Sequence, residues 1–109
     1  MLSGDDSLTL PLMAIGGEGV ISVVANIIPR DVKAMVTTFL EGDLKRARGL
    51  HYKMLPLIKA AFIETNPIPI KTAMGLMGLC EPTMRLPLCE MSHANLAKLK
   101  SALEEYGLI

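Results

Sequence analysis

Hydrophobic positions follow two different periods along this chain. From Gly19 to Asn26 (Gly19-Val20-Ile21-Ser22-Val23-Val24-Ala25-Asn26) apolar and β-branched residues run almost continuously, with Gly16-Gly17 before them and Pro29 after. Such a run predicts a strand buried on both faces, as in a parallel sheet covered by helices. Upstream, Met1 to Ser3 predict the end of an earlier strand, with Gly4-Asp5-Asp6 as the turn after it. Ser7 is expected to cap a helix through Leu8, Leu10, Leu12, Met13 and Ile15, with Pro11 near its first turn and Gly16-Gly17 as its stop. Strand, helix, strand is a βαβ unit, whose two strands should lie parallel and adjacent.

After Asn26 the apolar spacing is helical throughout. A helix is predicted from about Arg30 to Leu40, burying Val32, Met35, Val36 and Phe39, with Gly42 ending it and Asp43 capping the next. That next helix, about Leu44 to Ile63, places Leu44, Ala47, Leu50, Met54, Ile58, Ala61 and Phe62 on one face, and Pro56 should kink it. Asn66-Pro67-Ile68-Pro69 forces an extended corner before a short helix from about Ile70 to Met77, closed by Gly78. Cys80 to Leu88 reads as a loop. Ser92 then caps a last helix through Leu96, Leu99, Ala102, Leu103 and Tyr106, ended by Gly107. The one boundary falls near Ile28-Pro29, separating a βαβ region, 1–28, from a helical region, 29–109.

A strand buried on both faces needs neighbours on both sides, and the rest of the chain is mostly helix. Composition sharpens the point. Half of the 109 residues are apolar and mean hydropathy is +0.40, yet there are only two Phe, two Tyr and no Trp. A self-contained domain of this size buries a small fraction of its chain and normally shows more polar surface. The surplus predicts apolar surface that something else covers.

Charge narrows the partners. Eleven basic and eleven acidic residues cancel, without a basic block, so nucleic acid and anionic membrane are not expected. No apolar run approaches the roughly eighteen residues of a spanning helix. Asp5 and Asp6 stand where a signal peptide would carry positive charge, so a cytoplasmic protein is expected. Cys80 and Cys89 form no CxxC pair and read as reduced thiols.

Candidate chemistry is sparse. Asp5 and Asp6 follow a strand, where α/β proteins place functional groups; they could bind a metal, act as a base, or cap the helix behind them, and capping suits acids at a helix start. His51 and His93 lie far apart with no ligand spacing, so no metal site is expected. Ser3 and Ser22 lack His–Asp partners. All seven lysines (Lys33, Lys45, Lys53, Lys59, Lys71, Lys98 and Lys100) fall on predicted helices or their ends, and only Lys71 adjoins an unusual backbone corner. Gly16-Gly17-Glu18-Gly19 precedes a strand and is a weak phosphate-loop signal. The methionines, Met74 and Met77 included, keep helical spacing and read as core. No complete catalytic constellation emerges.

The motifs taken together nevertheless resemble one family. Ser3-Gly4-Asp5-Asp6, Gly16-Gly17, Gly19-Val20-Ile21-Ser22-Val23, Asn26, Asn66-Pro67-Ile68-Pro69-Ile70-Lys71 and Arg85-Leu86-Pro87 are similar, in order and spacing, to the C-terminal part of the dihydrodipicolinate synthase family. The resemblance covers Met1 to Ile109 and separates the chain from sialic-acid and sugar-acid aldolases. It implies an α/β fold: the last two parallel strands of a (β/α)8 TIM barrel followed by the family's C-terminal helical extension, mostly α-helical by residue count.

It also implies a Schiff-base lyase of lysine and diaminopimelate biosynthesis, condensing pyruvate held on a lysine with aspartate semialdehyde and needing no cofactor. That lysine belongs to the sixth strand and the tyrosine and threonine relay to earlier ones, so no catalytic residue is expected in this stretch, and alone it is expected to be inactive. A non-catalytic module that assembles with itself is the alternative. Carried over residue by residue, Ile21 matches the position whose backbone lies against pyruvate, and Gly4 the glycine that leaves room for substrate. Ile15, on the helix after strand seven, matches a subunit contact, which implies a homo-oligomer (tetramer or dimer) or a complementary N-terminal half as partner. Val24 stands where the family commonly has threonine, which implies a hydroxyl missing near the pocket mouth.

Overall fold

The computed structural model describes residues 1–109, and the chain folds as two units, Met1–Ile58 and Lys59–Ile109. This partition follows packing. It differs from the expected division at residue 28, which follows strand assignment.

In the first unit, strand β1 (Leu2–Ser3) pairs in parallel with β2 (Gly19–Val20), in the register Leu2 to Gly19 and Ser3 to Val20. Between them run a 3-10 turn (Asp6–Leu8) and helix α1 (Thr9–Ala14). The expected βαβ unit is therefore present, but its cap is Asp5 rather than Ser7: the Asp5 side chain accepts the Ser7 N–H at 2.8 Å. Helix α2 (Pro29–Leu40) begins on a proline, whose missing N–H costs nothing there, and buries Val32, Met35 and Thr38. Val36 and Phe39 are half-buried.

Helix α3 (Leu44–Ala61) continues through Pro56, and Asp43 Oδ1 accepts the Arg46 N–H at its start. It buries Ala47, Met54, Leu57, Ile58, Ala60 and Ala61. Leu44 and Phe62, expected on the inward face, are exposed at and just beyond the two ends of the helix.

The main correction concerns the central run. Only Gly19 and Val20 are strand; Ile21 and Ser22 are irregular, Val23 bends, and Val24–Asn26 form a 3-10 turn. Within the run only Gly19 and Val24 are buried, Ile21 is exposed and the others are half-buried or exposed, so the expected strand buried on both faces is not found. The competing partner is distant in sequence: the Asp6 carboxylate accepts the N–H groups of Val23 (2.9 Å) and Val24 (3.3 Å), donors that a longer strand would have turned to a neighbour. Val24, at the position where the family commonly has threonine, is fully buried.

In the second unit, helix α4 (Ile68–Leu76) packs on α5 (His93–Tyr106). Helix α4 starts two residues before the expected Ile70, because Pro69 falls in its first turn, where proline is tolerated. It buries Ile68, Pro69, Ile70 and Ala73, and α5 buries Leu99 and Leu103. Ser92 caps α5 as predicted, accepting the Asn95 N–H at 3.3 Å.

Helices α1, α2, α4 and α5 end alike. Gly16, Gly42, Gly78 and Gly107 each take positive φ (106°, 85°, 76° and 88°). In each case the next residue's N–H reaches back to a carbonyl five residues earlier: Gly17 to Leu12, Asp43 to Thr38, Leu79 to Met74 and Leu108 to Leu103. This is the Schellman closure, which uses carbonyls the helix leaves open and tolerates glycine because it has no Cβ.

Candidate functional site

Parallel strands bring their C-terminal ends to one edge, and α/β proteins place chemistry there. Gly4 and Ile21 are the residues that follow β1 and β2, and the Ile21 N–H donates to Ser3 O at 2.9 Å, continuing the ladder by one bond. The two sequence-predicted binding residues are thus neighbours. A Cβ at Gly4 would meet nothing within 4 Å, and the Ile21 residue is 72% exposed, so this edge is open. Ile15 is not part of it. It lies three residues before Glu18, whose N–H bonds Met1 O at the opposite end of the strands, and it is 76% exposed.

Asp5 and Asp6 are adjacent but do different work. The exposed Asp5 accepts the N–H and hydroxyl of Ser7 at 2.8 and 2.7 Å, a local cap. The Ser3 hydroxyl tightens the same turn by donating to Asp5 O at 2.6 Å. Asp6 is only 3% exposed and turns across the sheet end. Its Oδ1 accepts the Ser22 hydroxyl and its Oδ2 the amides of Val23 and Val24. The Ser22 Oγ in turn accepts the Ala25 N–H at 3.0 Å. An oxygen pair so occupied is already committed to the protein's own donors, so Asp6 joins the turn after β2 and capping of the helix behind falls to Asp5 alone.

The sequence reading missed this link. Its traces were a second acid after the strand and a serine three residues before Ala25, both turn-forming patterns.

The other candidates lie apart from the sheet end. Every lysine sits on an α-helix, Lys71 on the first half of α4 with its carbonyl accepting the Cys80 thiol at 3.9 Å. His93 opens α5 and is exposed. His51 stacks edge-on to Tyr52 with 5.3 Å between ring centres, and its Nδ1 is buried without a partner. No group of three His, Cys, Asp or Glu side chains could hold a metal ion. No helix is long and apolar enough to cross a membrane. An apolar cleft of about 380 Å³ opens among α1, α2 and α3, walled by Leu10, Pro11, Ala14, Phe39, Leu44 and Tyr52, with Arg48 and His51 beside them.

Comparison with known proteins decides the family. Residues 1–106 match the dihydrodipicolinate synthetase family. The chain belongs to that family. A 4-hydroxy-tetrahydrodipicolinate synthase from Endomicrobium trichonymphae is 57% identical over all of this chain, which covers 38% of that protein. A solved dihydrodipicolinate synthase from Aquifex aeolicus superposes with a TM-score of 0.96 at 57% identity, over 98% of this chain and 36% of that one. The chloride-inhibited dihydrodipicolinate synthase from Acinetobacter baumannii, complexed with pyruvate, superposes with a TM-score of 0.93 at 37% identity, over 99% of this chain and 37% of that one. The chain therefore spans well under half the length of the dihydrodipicolinate synthases it matches.

Proposed function

We propose that these residues supply strands seven and eight and the C-terminal helical part of a 4-hydroxy-tetrahydrodipicolinate synthase, a cytoplasmic Schiff-base lyase that condenses pyruvate with L-aspartate 4-semialdehyde. In this reading 1–28 is barrel and 29–109 the helical extension. The observation that carries it is the juxtaposition of Gly4 and Ile21 at the C-terminal edge of two parallel strands, in a fold superposing on a relative complexed with pyruvate. The Ile21 backbone lies against the pyruvate, and Gly4 leaves the space a side chain would fill. The Schiff-base lysine comes from outside residues 1–109, since a lysine on a helix surface lacks the desolvating pocket that makes an amine nucleophilic at neutral pH. Ile15 and the apolar cleft beside α1 support self-association into a dimer or tetramer, because exposed apolar surface of this kind is characteristic of subunit contacts.

The test is a full-length chimera in which these 109 residues replace the matching segment of the Endomicrobium trichonymphae relative. Incubated with pyruvate and borohydride, it should gain one reduced pyruvate adduct on a lysine outside the grafted segment, while the chain alone gains none. A folded chimera without adduct overturns the reading. So does specific labelling of Lys71 in the chain alone.

A further inference from the structure

The binding element at Ile21 is backbone, and backbone is positioned by whatever holds the next peptide units. Three successive groups after Ile21 (the Ser22 hydroxyl and the Val23 and Val24 amides) all end on the Asp6 carboxylate. On the other side the Ile21 N–H is fixed by Ser3 O, the carbonyl just before Gly4. Asp6 itself lies two residues after Gly4. One buried side chain thus ties the turn after β1 to the turn after β2, the two turns that carry Gly4 and Ile21 at their starts.

We propose that Asp6 is a positioning residue for the 2-oxo acid subsite, acting through Ser22. This rests on the reading above and adds a residue to it. The hydrogen-bond directions give the mechanism. The Ser22 hydroxyl donates to Oδ1 while its oxygen accepts the Ala25 N–H, so the hydroxyl beside Ile21 is withheld from substrate. An amide in place of the carboxylate offers one acceptor oxygen instead of two. Either the hydroxyl or the paired amides then lose their acceptor, and the turn that follows Ile21 is held less firmly. Because the damage is confined to the binding contact, it should appear in pyruvate affinity and not in the chemical step.

The experiment uses the full-length chimera and reads the pyruvate concentration that half-saturates borohydride trapping, alongside steady-state kinetics. Asp6→Asn should raise that concentration about tenfold, with kcat changed less than about threefold and KM for the aldehyde unchanged within about twofold. Ser22→Ala, which leaves both amide bonds in place, should raise it about threefold. Glu64→Gln, a carboxylate cap in the other unit, should leave it at the parental value.

Parental half-saturation in both Asp6→Asn and Ser22→Ala overturns the proposal. An equal shift in Glu64→Gln also does, since the effect would then be general destabilisation. If Asp6→Asn does not fold, Ser22→Ala decides alone. Failure of the unmutated chimera to trap pyruvate is read before any variant, and it removes the functional reading together with this one.

Discussion

Asp6 and Glu64 perform the same local chemistry in different surroundings. Each is a carboxylate that gathers three donors from a later turn of the chain: Asp6 from Ser22, Val23 and Val24, Glu64 from the amide and hydroxyl of Ser92 and the side-chain amide of Asn95. Asp6 is buried and divides its donors between both oxygens. Glu64 is half-buried, uses Oε2 alone, and two of its three bonds lie at the surface. Bond number is therefore equal, and solvent makes the difference. Water can take over donors released at Ser92, whereas the Val24 amide, on a fully buried residue, has nowhere else to turn.

The sharpest way to break the comparison is to remove each carboxylate and ask whether burial, and not bond count, sets the loss. Asp6→Ala should destabilise the chain by about 3 kcal/mol, the scale of leaving buried donors without a charged acceptor. Urea unfolding followed by circular dichroism measures it. Amide exchange at Val23 and Val24 should accelerate more than at the helix interiors. A loss below about 1 kcal/mol would mean that water enters the turn and that Asp6 is no better shielded than Glu64.

What was legible in the sequence divides along the same line. Local punctuation was readable because its cause is local: Gly16, Gly42, Gly78 and Gly107 end helices where a positive φ is needed, and Ser92 caps α5 through its own side chain. The parallel pairing of β1 with β2 was readable from the short helix between them. The stretch after Val20 was not. Its composition favours a strand, and the outcome is decided by Asp6, sixteen to eighteen residues away, which no window of pattern contains. Gly4 and Ile21 were reached through family motifs and not through periodicity, since a glycine and an isoleucine carry no chemical signal of their own. Asp6 was read as one of two equivalent acids because burial, which separates it from Asp5, is a property of the fold.

A second prediction tests whether the C-terminal unit depends on close packing more than on its carboxylate. A Cβ added at Gly75 would stand 2.8 Å from Pro82 Cβ and 2.9 Å from Pro82 Cγ. The proline ring cannot rotate away as a flexible chain would, so Gly75→Ala must displace the loop after α4. We expect a cost of about 2 kcal/mol, in the range of overpacked sites. Faster proteolysis within residues 80–90 would report the displaced loop. Unchanged stability and cleavage would show that the loop adjusts freely.

The smaller effects fall at the start of α5, where two devices overlap. Ser92→Ala removes the hydroxyl that accepts the Asn95 N–H and should cost about 1 kcal/mol, as such caps generally do. Glu64→Gln keeps an oxygen able to accept from the Ser92 amide and loses only the charge, so about 0.5 kcal/mol is expected. The two losses should not add, because Ser92 and Asn95 donate to Glu64 and the Ser92 hydroxyl also accepts from Asn95. A double-mutant cycle by urea unfolding measures the coupling. Coupling near zero would mean that Glu64 holds Asn95 independently of the cap, and the parallel with the single connected cluster around Asp6 would then fail.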